Sequence, residues 1–316
     1  MQQVRSRIDG PIGIIELHNP PDQFMTTRMV EQLDLLTEQW EADPTLRVIV
    51  ITGTKPGTFI THFSVHELAR GGGALALDQL PAPLRVVIEG ALERVDASHR
   101  LLEQLPSLRK LLESSARPPF KMLLSIGTIH RVFTRLERMD KVVIAAINGT
   151  AMGGGCELAL ACDYRLMARG DHAIGLVEVL GGIIPGAGGT QRLCRAVGAA
   201  RAREMMLDGT TVSPDEAERI GLVTRAVDAD ELMDEAMTLA RRMATRPRQA
   251  VLGVKRAVAI GATLPADDGL AVEKLSFLLA GAQSEALRRA KDYVAQFSTG
   301  KSARAIFDEL RAQQLP

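Results

Sequence analysis

The sequence predicts an α/β protein, and three observations carry that expectation. Apolar runs alternate with amphipathic stretches through the first half, helical periodicity dominates from Gly189 onward, and the composition is that of a folding, soluble chain. The chain has 316 residues, 46% of them apolar and 24% charged, with a mean hydropathy of +0.04. That length approaches the size at which a single hydrophobic core stops growing. Aromatic residues make up only 3%, so packing must rest on Leu, Ile, Val, Ala and Met. The 38 basic residues cancel the 38 acidic ones. Such a balance argues against a protein devoted to nucleic acid or to an acidic membrane face.

The elements follow in order. Residues 12–17 form a short apolar run after Asp9-Gly10-Pro11, and 47–52 (RVIVIT) read as a buried strand ending at Gly53. Between them, 27–41 places Met29, Val30, Leu33, Leu36 and Trp40 at helical spacing. Residues 141–147 (KVVIAAI) supply a third strand and 163–168 a fourth. This order predicts β-α-β crossovers. Past Gly189, the stretches 190–197, 200–207, 214–220, 229–244 and 247–260 each read as helices. Ser213-Pro214 marks a start, a capping residue followed by Pro at the first helical position. Residues 223–227 are the only strand candidate in this half. A helical tail over 266–280, 284–297 and 303–312 closes the chain.

Location follows from what the chain lacks. Its first nine residues contain no apolar stretch of the kind a secretory signal carries. Cys156, Cys162 and Cys194 are odd in number and without CxxC spacing, so neither a disulfide framework nor a thiolate zinc site is expected. The most apolar stretch, 142–162, contains Asn148, Glu157 and four glycines, which a lipid-facing helix would carry badly. A cytoplasmic protein with no membrane span is expected.

Residues 70–138 stand apart. They open on Gly71-Gly72-Gly73, read as a flexible hinge, and pass through Leu80-Pro81-Ala82-Pro83. Amphipathic helices then follow over 85–117 and 121–138. Wide apolar stripes with Arg and Glu opposite predict surface helices, a lid or packing insert with no chemistry of its own.

Chemistry concentrates in 148–163, NGTAMGGGCELALACD. A buried strand runs into a glycine-rich bend, and a short apolar helix follows. Glycines let the backbone approach a ligand, and the first amides of a helix are unpaired donors at a positive dipole end. That geometry suits an oxyanion. Glu157 falls one turn into the helix among Cys156, Leu158, Ala159 and Leu160, where a carboxylate is costly unless paired or functional. A second acid, Glu178, is likewise alone in an apolar run and precedes the glycine-rich turn Gly186-Ala187-Gly188-Gly189. Two close carboxyls push their ionisations apart, so that one can act as base while the other acts as acid with water between them. The plainer alternative stays open: both acids cap backbone amides or pair with Arg192.

The segments AINGTAMGGGCELALACDYR and GGIIPGAGGTQRLCRAVG resemble the crotonase superfamily and, within it, the enoyl-CoA hydratases. The strong likeness covers 142–198, and weaker likeness extends it over about four-fifths of the chain. The resemblance implies a spiral of β-β-α units over 1–212, interrupted by a helical insert at about 71–138. A helical C-terminal trimerisation region over 213–316 would complete a homotrimer or a hexamer built as a dimer of trimers. It implies an acyl-CoA thioester substrate, no metal and no organic cofactor, CoA being part of the substrate. Site residues carry over by position. The Gly154 amide matches one oxyanion donor and the Phe63 amide the other, while Glu157 and Glu178 match the acids that hold water. Thr61 and His66, with Phe63 and Gly154, fall on the substrate- and CoA-binding positions.

The implied reaction is syn addition of water across a trans-2-enoyl-CoA, with Glu157 as base on water and Glu178 giving a proton to the α-carbon. Two departures stand out. His62-Phe63-Ser64 replaces the small residues and Asp usual in the first oxyanion loop, and 77 residues separate Ser64 from Val142. Both point to a substrate other than a short straight-chain enoyl-CoA. The competing readings are an isomerase or other acyl-CoA lyase of the same fold, and a non-catalytic assembly or RNA-contacting protein. His62 and His66 lie four apart beside Glu67 but lack a third ligand, so no metal site is expected.

Overall fold

Two sheets share the strands, and the segment singled out above runs from one into the other. In the computed structural model, which describes residues 2–72, 83 and 118–312, the chain opens with an antiparallel pair, β1 (Val4–Asp9) and β2 (Ile12–Leu17). Helix α1 (Thr27–Ala42), β3 (Val48–Gly53), β4 (Gly57–Ile60) and α2 (Val65–Gly72) follow. After α3 (Pro118–Arg138) come β5 (Val142–Ile147), β6 (Gly149–Met152), α4 (Gly154–Leu160), β7 (Tyr164–Ala168) and β8 (Ile174–Gly175). Next are α5 (Gly189–Val197), α6 (Ala199–Asp208), β9 (Thr211–Val212), α7 (Pro214–Arg219) and β10 (Arg225–Val227). The chain ends in α8 (Leu232–Ala244), α9 (Arg248–Ala259), α10 (Ala266–Gly281), α11 (Ser284–Phe297) and α12 (Ala303–Ala312).

The larger sheet orders β1-β2-β3-β5-β7-β10 and is parallel apart from β1. Its central strands are apolar throughout because both faces are covered. Ile49, Ile51, Val143, Ala145 and Ile147 face one core with Met29, Leu33 and Trp40 of α1 and Phe133 and Leu136 of α3. Val48, Val50, Val142, Ile144 and Ala146 face the other, against Ala236, Leu239 and Ala240 of α8. Thr26 caps α1 by accepting from the Met29 amide, and Ser213 caps α7 in the same manner from Glu216.

The smaller sheet orders β4-β6-β8-β9 and was not expected from the sequence. Gly149–Met152, read as part of a bend, is a strand, and β9 adds a second strand to a half in which 223–227 was the only candidate. Its strands are two to four residues long and rich in glycine, so they carry no periodicity. β1 also escaped: it is an edge strand whose only buried residue is Val4. Gly71 and Gly72, read as hinge, close the last turn of α2. Of the insert, the helix over 121–138 is present within α3, while the helix expected over 85–117 lies outside the described residues.

Helix α4 lies against β4 at backbone distance. A Cβ added to Gly155 would stand 2.3 Å from the Ile60 carbonyl oxygen, closer than atoms can approach. Gly155→Ala is therefore expected to cost about 3 kcal/mol through overpacking. The loss should read as a lowered denaturant midpoint at unchanged slope; an unshifted midpoint would show that α4 moves away freely.

One buried clip fastens α9 to the core. The Lys255 ammonium donates to the Leu136 and Lys141 carbonyls at 2.9 and 2.8 Å and to Asp163 Oδ2 at 2.7 Å, which uses all three of its donors. Asp163 Oδ2 also accepts from the Val143 amide at 2.8 Å, so the acid closing the CELALACD segment is structural. No helix among the described residues is long and apolar enough to cross a membrane.

Candidate active site

Both acids singled out in the sequence come to one place, around the turn that joins β6 to α4. Gly153 forms that turn at φ +48°, a conformation that strains residues with a Cβ. Its amide donates to the Gly175 carbonyl at 2.9 Å, which ties the turn to β8. A Cβ on Gly153 would meet Glu178 Oε1 at 3.2 Å and the His62 Cβ at 3.3 Å, so Glu178 and the His62 loop close over the turn from two sides. Glu157 stands four residues further on, in α4, with its own amide bonded to the Gly153 carbonyl at 2.9 Å.

Glu157 is 3% exposed. Its Oε1 accepts from the Ala187 amide at 2.7 Å and the Gly189 amide at 2.8 Å. Both bonds fall on one oxygen, so the carboxyl is aimed and Oε2 is left for another partner. A Cβ on Gly189 would approach Oε1 to 2.9 Å, which only glycine avoids. Burial pushes Glu157 above the usual carboxylate range, against the pull of these two amides and of Arg192. The capping alternative is thus met in part for Glu157. The pairing alternative is not, because Arg192 bonds Glu137 and the Ala187 carbonyl instead.

Glu178 begins a one-turn 3-10 segment, Glu178–Gly181, and is half-buried. Its Oε2 is buried and has no hydrogen-bond partner among the described residues. Burial first, and the Glu157 charge second, push its carboxyl up to about 7. The second cause is itself geometric, since two carboxyls repel measurably only when close.

The amide pair is equally local. Phe63 bridges Met25 in parallel register: the Met25 amide donates to the His62 carbonyl at 2.9 Å and the Ser64 amide to the Met25 carbonyl at 2.8 Å. That pattern turns the intervening Phe63 amide away from Met25. The Phe63 nitrogen lies 3.5 Å from where a Cβ on Gly154 would sit, so the two amides neighbour each other. Among the described residues, neither donates to a backbone carbonyl. The Phe63 side chain packs against the main core.

The remaining predicted positions hold the loop together. The Thr61 hydroxyl donates to the Asp22 carbonyl at 2.5 Å, and the Thr61 carbonyl accepts from Met152 across the β4–β6 edge. His66 lies on α2 with its ring edge toward Phe24, 6.5 Å away, while His62 stacks on Phe24 at 4.7 Å. Glu67 takes no part in a cluster with these histidines; its Oε2 accepts from the Thr27 amide and hydroxyl at the start of α1. Sequence reasoning weighed His62 only as part of an unusual loop and of an incomplete metal cluster, and gave Arg192 no role beyond an ion pair. The Phe63 carbonyl can only accept, so His62 Nδ1, 2.7 Å away, carries a proton and pins the oxyanion loop.

Known proteins share this arrangement of elements. Residues 118–294 match the enoyl-CoA hydratase/isomerase family. A short-chain-enoyl-CoA hydratase of Clostridium acetobutylicum is 43% identical over 148 residues, 47% of this chain and 56% of that protein. The chain thus spans little more than half the length of this relative. A probable enoyl-CoA hydratase of Bacillus subtilis is 32% identical over 250 residues, 79% of each chain. Among solved structures, an enoyl-CoA hydratase from Bacillus anthracis superposes with a TM-score of 0.72 at 26% identity, covering 93% of this chain and 97% of the other. Mixed sheets flanked by many helices are those of the crotonase superfamily. Within it, the chain belongs to the enoyl-CoA hydratase/isomerase family.

Proposed function

We propose that the protein hydrates a trans-2-enoyl-CoA to the 3-hydroxyacyl-CoA. The observation that carries this reading is the meeting of two carboxyls, both raised by burial, with two neighbouring amides that donate to no backbone carbonyl among the described residues. The Phe63 and Gly154 amides would receive the thioester oxygen as it gains charge, worth about 3 kcal/mol per donor to the transition state. Glu157, whose ionised form the two amides and Arg192 favour against the opposing effect of burial, takes a proton from water as its oxygen attacks the β-carbon. Glu178, protonated near neutrality, delivers its proton to the α-carbon. No metal or further cofactor enters this reading, CoA being part of the substrate. Thr61 and His66 stand beside the oxyanion loop, where they would flank the CoA moiety.

The test is direct. Purified protein added to crotonyl-CoA, and separately to longer enoyl-CoAs, should abolish the ultraviolet band of the conjugated thioester. Persistence of the band at every chain length would overturn the reading. The short-chain relative and the long insert pull the expected chain length in opposite directions, and the ratio of kcat/KM between crotonyl- and octenoyl-CoA decides between them.

The β-β-α order supports a spiral core over 1–212 with its insert at about 71–138, and 213–316 as the helical assembly region. Helices α10 and α11 expose Leu270, Leu275, Phe277, Leu287, Val294 and Phe297, Phe277 to 75%. Large apolar side chains exposed in such number on consecutive helices suit an interface between copies. Light scattering should give about three or six times the 34.2 kDa protomer mass. A monomer at micromolar concentration would remove the assembly proposal. A cytoplasmic setting, where the three free thiols stay reduced, fits this reading.

A further inference from the structure

The aim of Glu157 depends on a loop that a buried guanidinium grips from behind. The Ala187 peptide is held at both ends: its amide donates to Glu157 Oε1 at 2.7 Å, and its carbonyl accepts from Arg192 Nη1 at 2.9 Å. The Arg192 side chain is 8% exposed. Its Nη2 donates to Glu137 Oε2 at 3.1 Å, which anchors the loop to the C-terminal turn of α3. Arg195 reaches the other Glu137 oxygen at 3.6 Å. Gly188 makes the grip possible. It adopts φ +94°, and a Cβ there would stand 2.3 Å from Arg192 Nη1. The loop between Glu178 and α5 is therefore folded around the guanidinium, and the next amide along, that of Gly189, is the second donor to Glu157.

We infer that Arg192, oriented by Glu137, is a positioning residue for the base: it fixes the Ala187–Gly189 amides that aim Glu157. The inference rests on the hydration reading, because only there does the direction of Glu157 Oε2 set a rate. The physical logic is that of a preorganised site, in which a shift of about 1 Å in a catalytic group can cost about 100-fold in rate. Arg192 also acts through its charge. It favours the ionised form of Glu157, while burial disfavours it; Glu178 and the Cys156 thiol are the other titratable groups facing that carboxyl, and Arg165 faces Cys156. Neither Glu137 nor Arg192 needs to touch substrate for this role.

Arg192→Met, Arg192→Lys and Glu137→Gln, assayed on an enoyl-CoA across pH, test it. Arg192 lines an open cleft of about 740 Å³, so a shorter side chain opens onto solvent rather than sealing a void, which favours folding of the variants. Arg192→Met should lower kcat about 100-fold with KM within about threefold, and the acidic limb of its pH profile should move to higher pH, because Glu157 must be ionised to act. Arg192→Lys keeps the charge but cannot bridge Ala187 and Glu137 with a planar fork, so it should recover the limb's position more than it recovers kcat. Glu137→Gln keeps an acceptor and should lower kcat about threefold to tenfold. A merely structural role would lower the thermal midpoint and leave the pH limb where it was. A pH limb of folded Arg192→Met that superposes on the parent's overturns the inference, and if Arg192→Met does not fold, a kcat equal to the parent's in both Arg192→Lys and Glu137→Gln does so alone. Failure of the hydration reading looks different: the unmodified protein itself would then leave the enoyl band intact at every chain length.

Discussion

Glu157→Gln should lower kcat for crotonyl-CoA hydration by about three orders of magnitude while KM changes less than about threefold. The substitution is chosen for what it keeps. A glutamine carbonyl can still accept from the Ala187 and Gly189 amides, which now share Glu157 Oε1, so the loop that follows Glu178 keeps its shape. What disappears is the proton acceptor on the second oxygen. General base catalysis contributes about 10²- to 10⁴-fold, and an interaction made only in the transition state lowers kcat and kcat/KM together. The amides of Phe63 and Gly154 remain, so thioester binding should survive. Steady-state loss of the enoyl band reads kcat and KM together, and a variant as active as the parent would strip Glu157 of its assigned role.

How far the sequence alone reaches depends on what each element is stabilised by. The central strands were legible because burial on both faces makes them continuous apolar runs, as in VVIAAI of β5, and helices α1 and α8 because one face is buried and one is wet. The second sheet was not. Its strands are short, and Gly57, Gly149 and Gly175 read as loop, since what they provide is closeness rather than burial. Both acids were visible as charges stranded in apolar sequence. Their meeting was expected but not its means, a turn at Gly153 and a loop at Gly188 whose conformations leave no trace beyond the glycines themselves. Arg192 shows the same limit: a single arginine following GAGGTQ looks like an ion-pair partner for either acid, and only the fold reveals that it bonds the backbone behind one of them.

Glu178→Gln is expected to do two opposite things, and their combination distinguishes a functional acid from a buried structural one. Hydration needs Glu178 protonated. With its carboxyl pushed up to about 7, kcat/KM for the unmodified protein should fall as pH rises through that value, whereas dehydration of the 3-hydroxyacyl-CoA, which needs the ionised form, should rise over the same window. Glutamine cannot supply the proton, so hydration should drop by about 100-fold to 1000-fold and the limb near pH 7 should vanish. Stability moves the other way. A carboxyl whose ionisation lies at about 7 in the folded chain, against an ordinary 4.5, favours folding at low pH and loses that contribution as pH climbs between those values. Above pH 7 the folded protein therefore holds a charge it would rather not carry. Removing it should stabilise the chain by about 1–2 kcal/mol at pH 8, the full electrostatic figure being reduced because solvent reaches the half-buried side chain. Denaturant titrations at pH 5 and pH 8 read this directly: the gain should be present at pH 8 and nearly absent at pH 5. A variant that lost turnover without gaining stability at high pH would mean that Glu178 is ionised throughout and that some other group protonates the α-carbon.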